Sequence, residues 1–574
     1  MNPTSGTGAE LIIDALESYG VTHLFGNPGT TELPLMQAIG DSDLEYRLAL
    51  HEDTAVGAAS GYAMARRYHH HEDPSILPLG VVNLHLAGGL AHGLGTLYNA
   101  RISGAPLLVT AGDHSNDFRH EEPILSGDLV EMTQQFTKWS AQVGDVEALP
   151  RMVRRAVQTA LTPPTGPVFL SFPLDVMLAE TDATPERLGE IPRPGVGDSD
   201  AIRRAADAVV DAENPVVVLG DEVARFGPQA VDAAERFAEA SGARVHGEIL
   251  NYEVAFRFDH EQWAGVLPTT GGGSREAMDT DTIIFVGCST NTTITRHEEP
   301  LVSDETTCVH VNADGWEIGK HAPTDVSIMG DPGRCLSELS ERVETRLDDG
   351  ERERRLDAVR DYIESNRPER TDTIDGLLSK TGLAKALART VPEALIFNES
   401  VTASATIREE FDFGQTQLLG TKGGGLGYGL PATIGAAMAE AEADSDRPVV
   451  GYIGDGSYLY YPQTLYTAAR YDLDVTVVIP DNRNYRILKD NTAALLGGEP
   501  DDYEYVGIDF DPAVDFVSNA ESHGAKAEYV EEPDDIDAAL RRAVDHDGPS
   551  VVDVLISDCP PQPLSSIRSS YRPG

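Results

Sequence analysis

The chain is expected to be an α/β protein of three doubly wound parallel-sheet domains, and three observations predict this. Its 574 residues exceed what one hydrophobic core holds, and at roughly 150 residues per domain they suggest three or four. Short apolar, β-branched runs alternate with helix-period segments along its length, the pattern of repeated βαβ units. Two polar stretches interrupt the alternation: TDATPERLGEIPRPGVGDSD, acidic and proline-bearing, and ERERRLDAVRDYIESN, a charged helix expected to be a solvated linker. Domains are therefore expected at 1–180, 195–345 and 375–560.

In the first of these, AELIIDALESYG reads as an amphipathic helix ended by Gly20. The strand VTHLFG leads into a turn, Asn27 to Glu32, that starts another helix and carries Thr30. The strand LEYRLAL ends at His51-Glu52-Asp53, and the helix TAVGAASGYAMARR follows. Glu52 thus stands at a strand's carboxyl end and a helix start, where α/β proteins place chemistry; the helix dipole alone could equally favour a carboxylate there. His69-His70-His71, set among charged residues, read as a solvated loop rather than a metal site. His85 ends the apolar run of LGVVNLHLAGG, before a small-residue turn, GGLAHGLG, and the helical segment TLYNAR.

The middle domain offers two helices and the strands PVVVLG, ARVHG, TIIFVG and CVHVNAD. GDEVARFG follows the first strand but lacks G-x-G-x-x-G, so no NAD is expected there; FAD stays open. His297 lies in a loop, NTTITRHEEP, next to two acids.

The most informative stretch runs from Gly454 to Tyr485. RPVVGYI is a buried strand, Gly-Asp-Gly a tight turn, and a helix and the strand VTVVI lead to Asp481-Asn482-Arg483-Asn484. In a βαβ unit both strand ends share one sheet edge, so Asp455 and Asn482 converge. Two hard oxygen donors beside a glycine-opened helix N-terminus suit Mg²⁺ or Ca²⁺ carrying a diphosphate.

These residues resemble the signature of thiamine diphosphate (ThDP) enzymes, GDG followed some 25–30 residues later by an Asn-rich turn. The resemblance implies that Asp455, Asn482 and the main chain of Asn484 hold Mg²⁺, and that Gly454, Gly456, Ser457 and Tyr485 belong to the diphosphate site. The resemblance also implies that in the glycine turn of TKGGGLGYGLP Gly425 packs on the cofactor and Leu426 props it into a bent shape. Val401 and Thr402, after the strand ALIFNES, match diphosphate- and ring-contacting positions. Glu52, followed by GYAMARR, resembles the glutamate that bonds the aminopyrimidine ring. The N-terminal domain is then the pyrimidine-binding one, the C-terminal domain the diphosphate-binding one.

GNPGTTELP, LALHED, the NLH-x-x-x-G turn, PLLVTAGD and TGPVFLSFPLDV resemble, in type and order, the benzoylformate decarboxylase branch of the family. This implies non-oxidative decarboxylation of a 2-oxo acid to an aldehyde and CO₂. His85 would orient the carboxylate or move protons, His297 would help protonate the adduct, and Thr30 would stand near the substrate carboxylate. Arg486, Ile487, Leu488 and Asn491 fall where that branch lines an aromatic pocket; Arg486 and Lys422 could instead meet an acidic substrate tail, or each could equally pair with surface acid. A homodimer or homotetramer is implied, because the family joins one subunit's first domain to another's third. An acetolactate synthase-like carboligase and a catalytically silent paralogue are the alternatives.

Composition bounds the rest. With 94 acidic and 44 basic residues the formal charge is −50, which repels nucleic acid and anionic membranes. The acid lies in short pieces along the chain, as expected of a surface adapted to a high-salt cytoplasm. No apolar run reaches the ~20 residues of a membrane span, and no signal peptide is expected. The four cysteines, Cys288, Cys308, Cys335 and Cys559, lack CxxC spacing and read as reduced thiols. The tail after VVDVLI is expected to be poorly ordered.

Overall fold

The computed structural model describes residues 6–293, 296–297, 299–367 and 370–557; the C-terminal tail and Cys559 lie outside the described residues. Three six-stranded sheets, parallel throughout, organise the chain. The first holds β1 (His23–Gly26), β2 (Glu45–Leu48), β3 (Gly80–His85), β4 (Leu107–Asp113), β5 (Ser140–Gln142) and β6 (Val168–Pro173), in the order β2-β1-β3-β4-β6-β5. The second holds β7 (Val216–Leu219), β8 (Arg244–Gly247), β9 (Trp263–Val266), β10 (Thr282–Val286), β11 (Thr307–Asn312) and β12 (Val326–Met329), ordered β9-β8-β7-β10-β11-β12. The third holds β13 (Leu395–Glu399), β14 (Leu418–Gly420), β15 (Val449–Ile453), β16 (Val475–Asp481), β17 (Lys526–Val530) and β18 (Pro549–Leu555). Its order, β14-β13-β15-β16-β18-β17, repeats that of the first sheet. Strands such as β3, β4 and β16 are buried almost end to end, as sheets covered by helices on both faces require.

Two helices weld the first sheet to the third: α1 (Glu52–Glu72) and α2 (Gly429–Glu442). They cross so closely that a Cβ on Gly61 would sit 1.8 Å from the Ala432 carbonyl oxygen, and one on Gly435 would sit 1.8 Å from that of Ala58. One buried cluster runs from Val82 and Phe169 through both helices to Leu395 and Phe397. Among the described residues no helix is long and apolar enough to cross a membrane.

Three local expectations change. His69, His70 and His71 form the last turn of α1, not a loop; His69 meets Glu440 at 3.0 Å and His70 meets the Ile76 carbonyl at 2.7 Å, so neighbouring elements extend the helix through them. GGLAHGLG is helical, within Leu86–Ile102, because its glycines give α1 and β3 close approach: a Cβ on Gly93 would meet Leu84 at 3.0 Å and Val56 at 3.3 Å. The charged helix Asp349–Ser365 is not merely a solvated linker. Its Arg355, 1% exposed, donates to the carbonyls of Val209, Val210, Ala212 and Ser241 and docks the helix on the second domain.

The crossing yields the first prediction. Gly61→Val drives side-chain atoms into the Ala432 backbone, which cannot yield as a flexible side chain would. Overpacking of this kind costs about 1–3 kcal/mol or more. The expected result is a lower apparent melting temperature in high salt for Gly61→Val, and no change for Gly40→Ala, whose Cβ meets nothing within 4 Å.

Candidate functional site

Two groups of polar residues lie at carboxyl ends of strands, one on the first sheet and one on the third. The third-sheet group is built as the βαβ spacing requires. β15 ends at Ile453, Gly454 caps a short helix that begins at Asp455, and β16 returns to Asp481, just before Asn482. Asp455 Oδ2 accepts from the Asn482 N–H at 3.2 Å, and Oδ1 accepts from the Gly456 N–H at 2.7 Å. Asn482 Oδ1 accepts from the Asn484 N–H at 3.2 Å. A Cβ on Gly456 would stand 2.5 Å from the Tyr485 ring, so only glycine fits there. A cavity of about 40 Å³ gathers Thr402, Leu426, Gly454, Asp455, Gly456, Ser457, Asn482, Asn484 and Tyr485, with Val401, Arg486 and Ile487 also on its wall.

Asp455 is only 5% exposed. Burial, and then the neighbouring Asp481, push its carboxyl well above the ordinary range. A buried carboxylate beside a second one suits a cation. The hard oxygens of Asp455, Asn482 and the Asn484 carbonyl are the donor type that Mg²⁺ takes, with phosphate oxygens completing the shell.

One carboxylate the sequence reading passed over holds this site's frame. Glu399, at the end of β13, accepts N–H bonds from Gly427, Tyr428 and Gly429 at 3.2, 3.2 and 2.9 Å. It thereby fixes the turn that carries Leu426, although burial pushes it up to about 8. Gly425 is clamped from the first domain, its carbonyl accepting from Asn99 Nδ2 at 2.8 Å and its N–H donating to Asn99 Oδ1 at 3.2 Å. Lys422, which could have faced a substrate, is instead buried against Asp221, at 3.2 Å, and Glu248. It is consumed in that ion pair and cannot reach a ligand in this arrangement.

Glu248 has a further consequence. The second sheet has the order 3-2-1-4-5-6 of dinucleotide-binding domains, with its switch point between β7 and β10. There Glu248 accepts the N–H groups of Asp221, at 2.9 Å, and of Ser289 and Thr290, both at 2.7 Å. Burial works against the anion, but the Lys422 ammonium holds its carboxyl below the ordinary range. The chain's own carboxylate takes the donors that a nucleotide's phosphates would use.

The first-sheet group centres on Glu52, the first residue of α1, and His85, the last of β3. Both flank Gly89, whose Cβ would stand 3.0 Å from Glu52 Oε1 and 3.3 Å from His85 Cβ. His85 Nδ1 is 2.7 Å from Oε2 of Glu32, which is fully buried and also accepts from the Gly29 N–H, the Gly112 N–H and the Thr31 hydroxyl. The Glu32 hydrogen bond raises the His85 pKa and fixes which nitrogen points outward. Thr30 is exposed at the start of the same turn. His92 Nδ1 lies 3.4 Å from Glu52 Oε2, and its ring stacks on His51 at 5.3 Å. Sequence reasoning missed Glu32 and His92: neither follows a strand end, and only the fold brings them in.

Among the described residues, none of the first domain lines the cavity that holds Asp455, so within one chain Glu52 and His85 do not meet Asn482 there. His297 stands apart from both, in a cavity with His310 and His321, its Nδ1 2.8 Å from the Glu299 carbonyl.

Comparisons with known proteins agree with this geometry. Residues 6–141 match the N-terminal TPP-binding domain of thiamine pyrophosphate enzymes, 202–339 their central domain and 408–554 their C-terminal TPP-binding domain. The chain is 29% identical over 559 residues to benzoylformate decarboxylase of Pseudomonas aeruginosa, covering 94% of this chain and 97% of that one. It is 27% identical over 574 residues to a probable acetolactate synthase large subunit of Methanocaldococcus jannaschii, covering 97% and 93%. The solved structure of a thiamine diphosphate-dependent 4-hydroxybenzoylformate decarboxylase of Rhodococcus jostii RHA1 superposes with a TM-score of 0.82 at 28% identity, over 96% of this chain and 100% of that one.

The Glu32–His85 pair predicts a pH effect. A raised pKa means that the pairing favours protonated His85 below the imidazole's ordinary value and is lost as pH rises through the raised one. Glu32→Gln removes the partner charge, so any alkaline limb of kcat/KM set by His85 moves to lower pH. An unmoved limb in that variant would assign it to another group.

Proposed function

The chain belongs to the thiamine diphosphate-dependent enzymes, and from that premise we propose that it decarboxylates a 2-oxo acid, without oxidation, to an aldehyde and CO₂. The observation that supports this reading most is the imidazole of His85, hydrogen-bonded to a fully buried Glu32 that raises its pKa, with Glu52 close by. A nitrogen donor at that place, whose protonated form Glu32 favours, suits a substrate carboxylate.

In this reading Asp455, Asn482 and the Asn484 carbonyl hold Mg²⁺. Thr402, the Gly425–Leu426 turn, the Gly454–Ser457 helix start and Tyr485 hold the cofactor. Thiamine diphosphate supplies the nucleophilic carbon and the electron sink that loss of CO₂ requires. The protein's part is positioning and proton transfer. Glu52 holds a proton at the aminopyrimidine ring, Gly454 and Gly456 let the backbone approach the diphosphate, and His85 steers the carboxylate and moves a proton. Thr30 offers a hydroxyl at the same mouth; His297 stands apart from both groups within one chain and is given no part in this reading. Arg486 lies on the wall of the Asp455 cavity and pairs with Asp490 at 2.9 Å; its charge there favours a polar or acidic substrate tail over a bare phenyl ring.

Glu52 needs a partner for this chemistry, and among the described residues the cavity around Asp455 contains no first-domain side chain. A homodimer, alone or doubled to a tetramer, supplies one: Glu52 of one copy closes over Asp455 of the other. The formal charge of −50 fits a protein working in a high-salt cytoplasm. The second reading, carboligation as in acetolactate synthases, rests on the relatives of that name; it differs only in what accepts the carbanion equivalent.

The deciding experiment is CO₂ release with product identification, in molar KCl with ThDP and Mg²⁺, over aromatic, aliphatic and dicarboxylic 2-oxo acids. The matching aldehyde is expected, lost in Glu52→Gln and on chelation of the metal; a hydroxyketone would move the protein to the carboligases. The shared site is tested separately by mixing. Glu52→Gln and Asp455→Ala are each inactive alone, but co-refolded in equal amounts they should recover about a quarter of wild-type activity, since half the dimers then carry one intact site. No recovery would place both residues in one chain's site.

A further inference from the structure

One mostly apolar space in the described structure lies away from both groups above. It is a cavity of about 180 Å³ at the far end of α1 from Glu52, between the first domain, the second domain and the linker that joins them. An engineered apolar cavity of about 150 Å³ takes up benzene, so this one has room for a six-membered ring or a branched alkyl group. Pro78, Pro106, Leu161, Pro163, Ile191 and Phe226 supply the apolar wall.

The charges on the wall run against the composition of the whole chain. Acids outnumber bases 94 to 44 overall, yet here three arginines, Arg67, Arg193 and Arg225, face only Glu222 and Asp331. Asp331 is engaged in capping a helix, accepting from the Arg334 N–H at 3.1 Å. Glu222 accepts from the Ala313 N–H at 3.3 Å, and burial pushes its carboxyl up to about 7. Behind the wall, Glu253 serves both Arg67 and Arg225, the latter at 2.8 Å. Arg67 is 4% exposed, and its Nε and Nη1 have no hydrogen-bond partner, nor does the buried Nε2 of His71 beside it. Buried donors left unmade cost about 1–3 kcal/mol each, more when charged. Arg193, exposed at the rim, makes no ion pair among the described residues.

We propose that this cavity binds a small organic anion: one carboxylate, received by Arg67, Arg193 and His71, on an aryl or branched alkyl body that fills the proline-lined space. It is distinct from the cofactor cavity, with which it shares no residue. The ligand class is that of the 2-oxo acids proposed as substrates, and to that extent the identification rests on the proposed function; the binding itself needs no turnover.

The test is calorimetric titration of the full-length, ThDP- and Mg²⁺-loaded protein with benzoate, which carries the carboxylate and ring but no 2-oxo group. One benzoate per chain is expected, with benzamide at least tenfold weaker because it lacks the charge. Ile191→Trp, which fills the space, and Arg193→Glu, which reverses the rim charge, should each weaken benzoate at least tenfold while leaving ThDP affinity unchanged. Asp455→Ala, which disables the cofactor site, should bind benzoate as the wild type does. Equal binding by Ile191→Trp and the wild type, equal binding of benzamide and benzoate, or loss of benzoate binding in Asp455→Ala would overturn the assignment. A failure of every 2-oxo acid to turn over would leave these titrations unaffected, so the two readings fail separately.

Discussion

Everything in the arrangement depends on the contact of α1 with α2, backbone against backbone at Gly61 and Gly435. Such a crossing brings two apolar helices closer than any side chain allows, and it merges the cores of the first and third sheets into one buried cluster. It also fixes where chemistry can occur. α1 begins at Glu52, and α2 follows the glycine turn that bears Leu426. The helix pair therefore holds both half-sites rigidly, while among the described residues the cavity around Asp455 admits nothing from its own first domain. Asp53 adds a polar lock to the same joint, accepting from the Thr96 N–H at 2.9 Å and from the Tyr461 hydroxyl.

Around that frame, loops are shaped by buried carboxylates that accept backbone N–H groups. Glu32 holds the Gly29 turn, Glu399 the Gly427–Gly429 turn, and Glu248 the Ser289–Thr290 turn. A buried charge is costly unless it is paired and hydrogen-bonded. Each of these therefore comes with its compensation: His85 for Glu32, Lys422 for Glu248, three N–H donors for Glu399. These side chains contact no expected ligand themselves, yet they decide how His85 and Leu426 are presented.

What the sequence disclosed follows from range. The Gly454–Tyr485 unit is one contiguous βαβ element, so its geometry can be read from spacing alone, and Asp455 and the Asn482 N–H do meet at 3.2 Å. Glu52 and His85 were legible as strand-end residues for the same reason. Glu32, Glu399 and His92 were not, because each is defined by partners brought near only by sheet order: Gly112 lies 80 residues from Glu32, and Gly429 lies 30 from Glu399. Of the two readings open to Lys422, pairing with acid is the one found, but its partners Glu248 and Asp221 are buried and arrive from another domain rather than lying on the surface. The helix through GGLAHGLG was hidden by glycine's poor propensity, which close packing on Val56 and Leu84 overrides. The short strands β9 and β12 have too few residues to show a period.

The effect of the excess acid depends on where both kinds of charge lie. Part of the scarce positive charge is spent inside: Arg355 on four carbonyls, Arg408 on the Asn251 carbonyl, Lys138 on those of Thr159 and Thr162, and Lys422 on two carboxylates. Acids such as Glu248, Glu399, Asp455 and Asp553 are withdrawn to the interior as well, so the outer shell keeps the acidic bias of the whole chain. At low ionic strength exposed charges repel over about 30 Å, and at 1 M salt over about 3 Å. Salt thus acts mainly on that shell, while the buried clamps, poorly screened, keep the three domains joined across the same range.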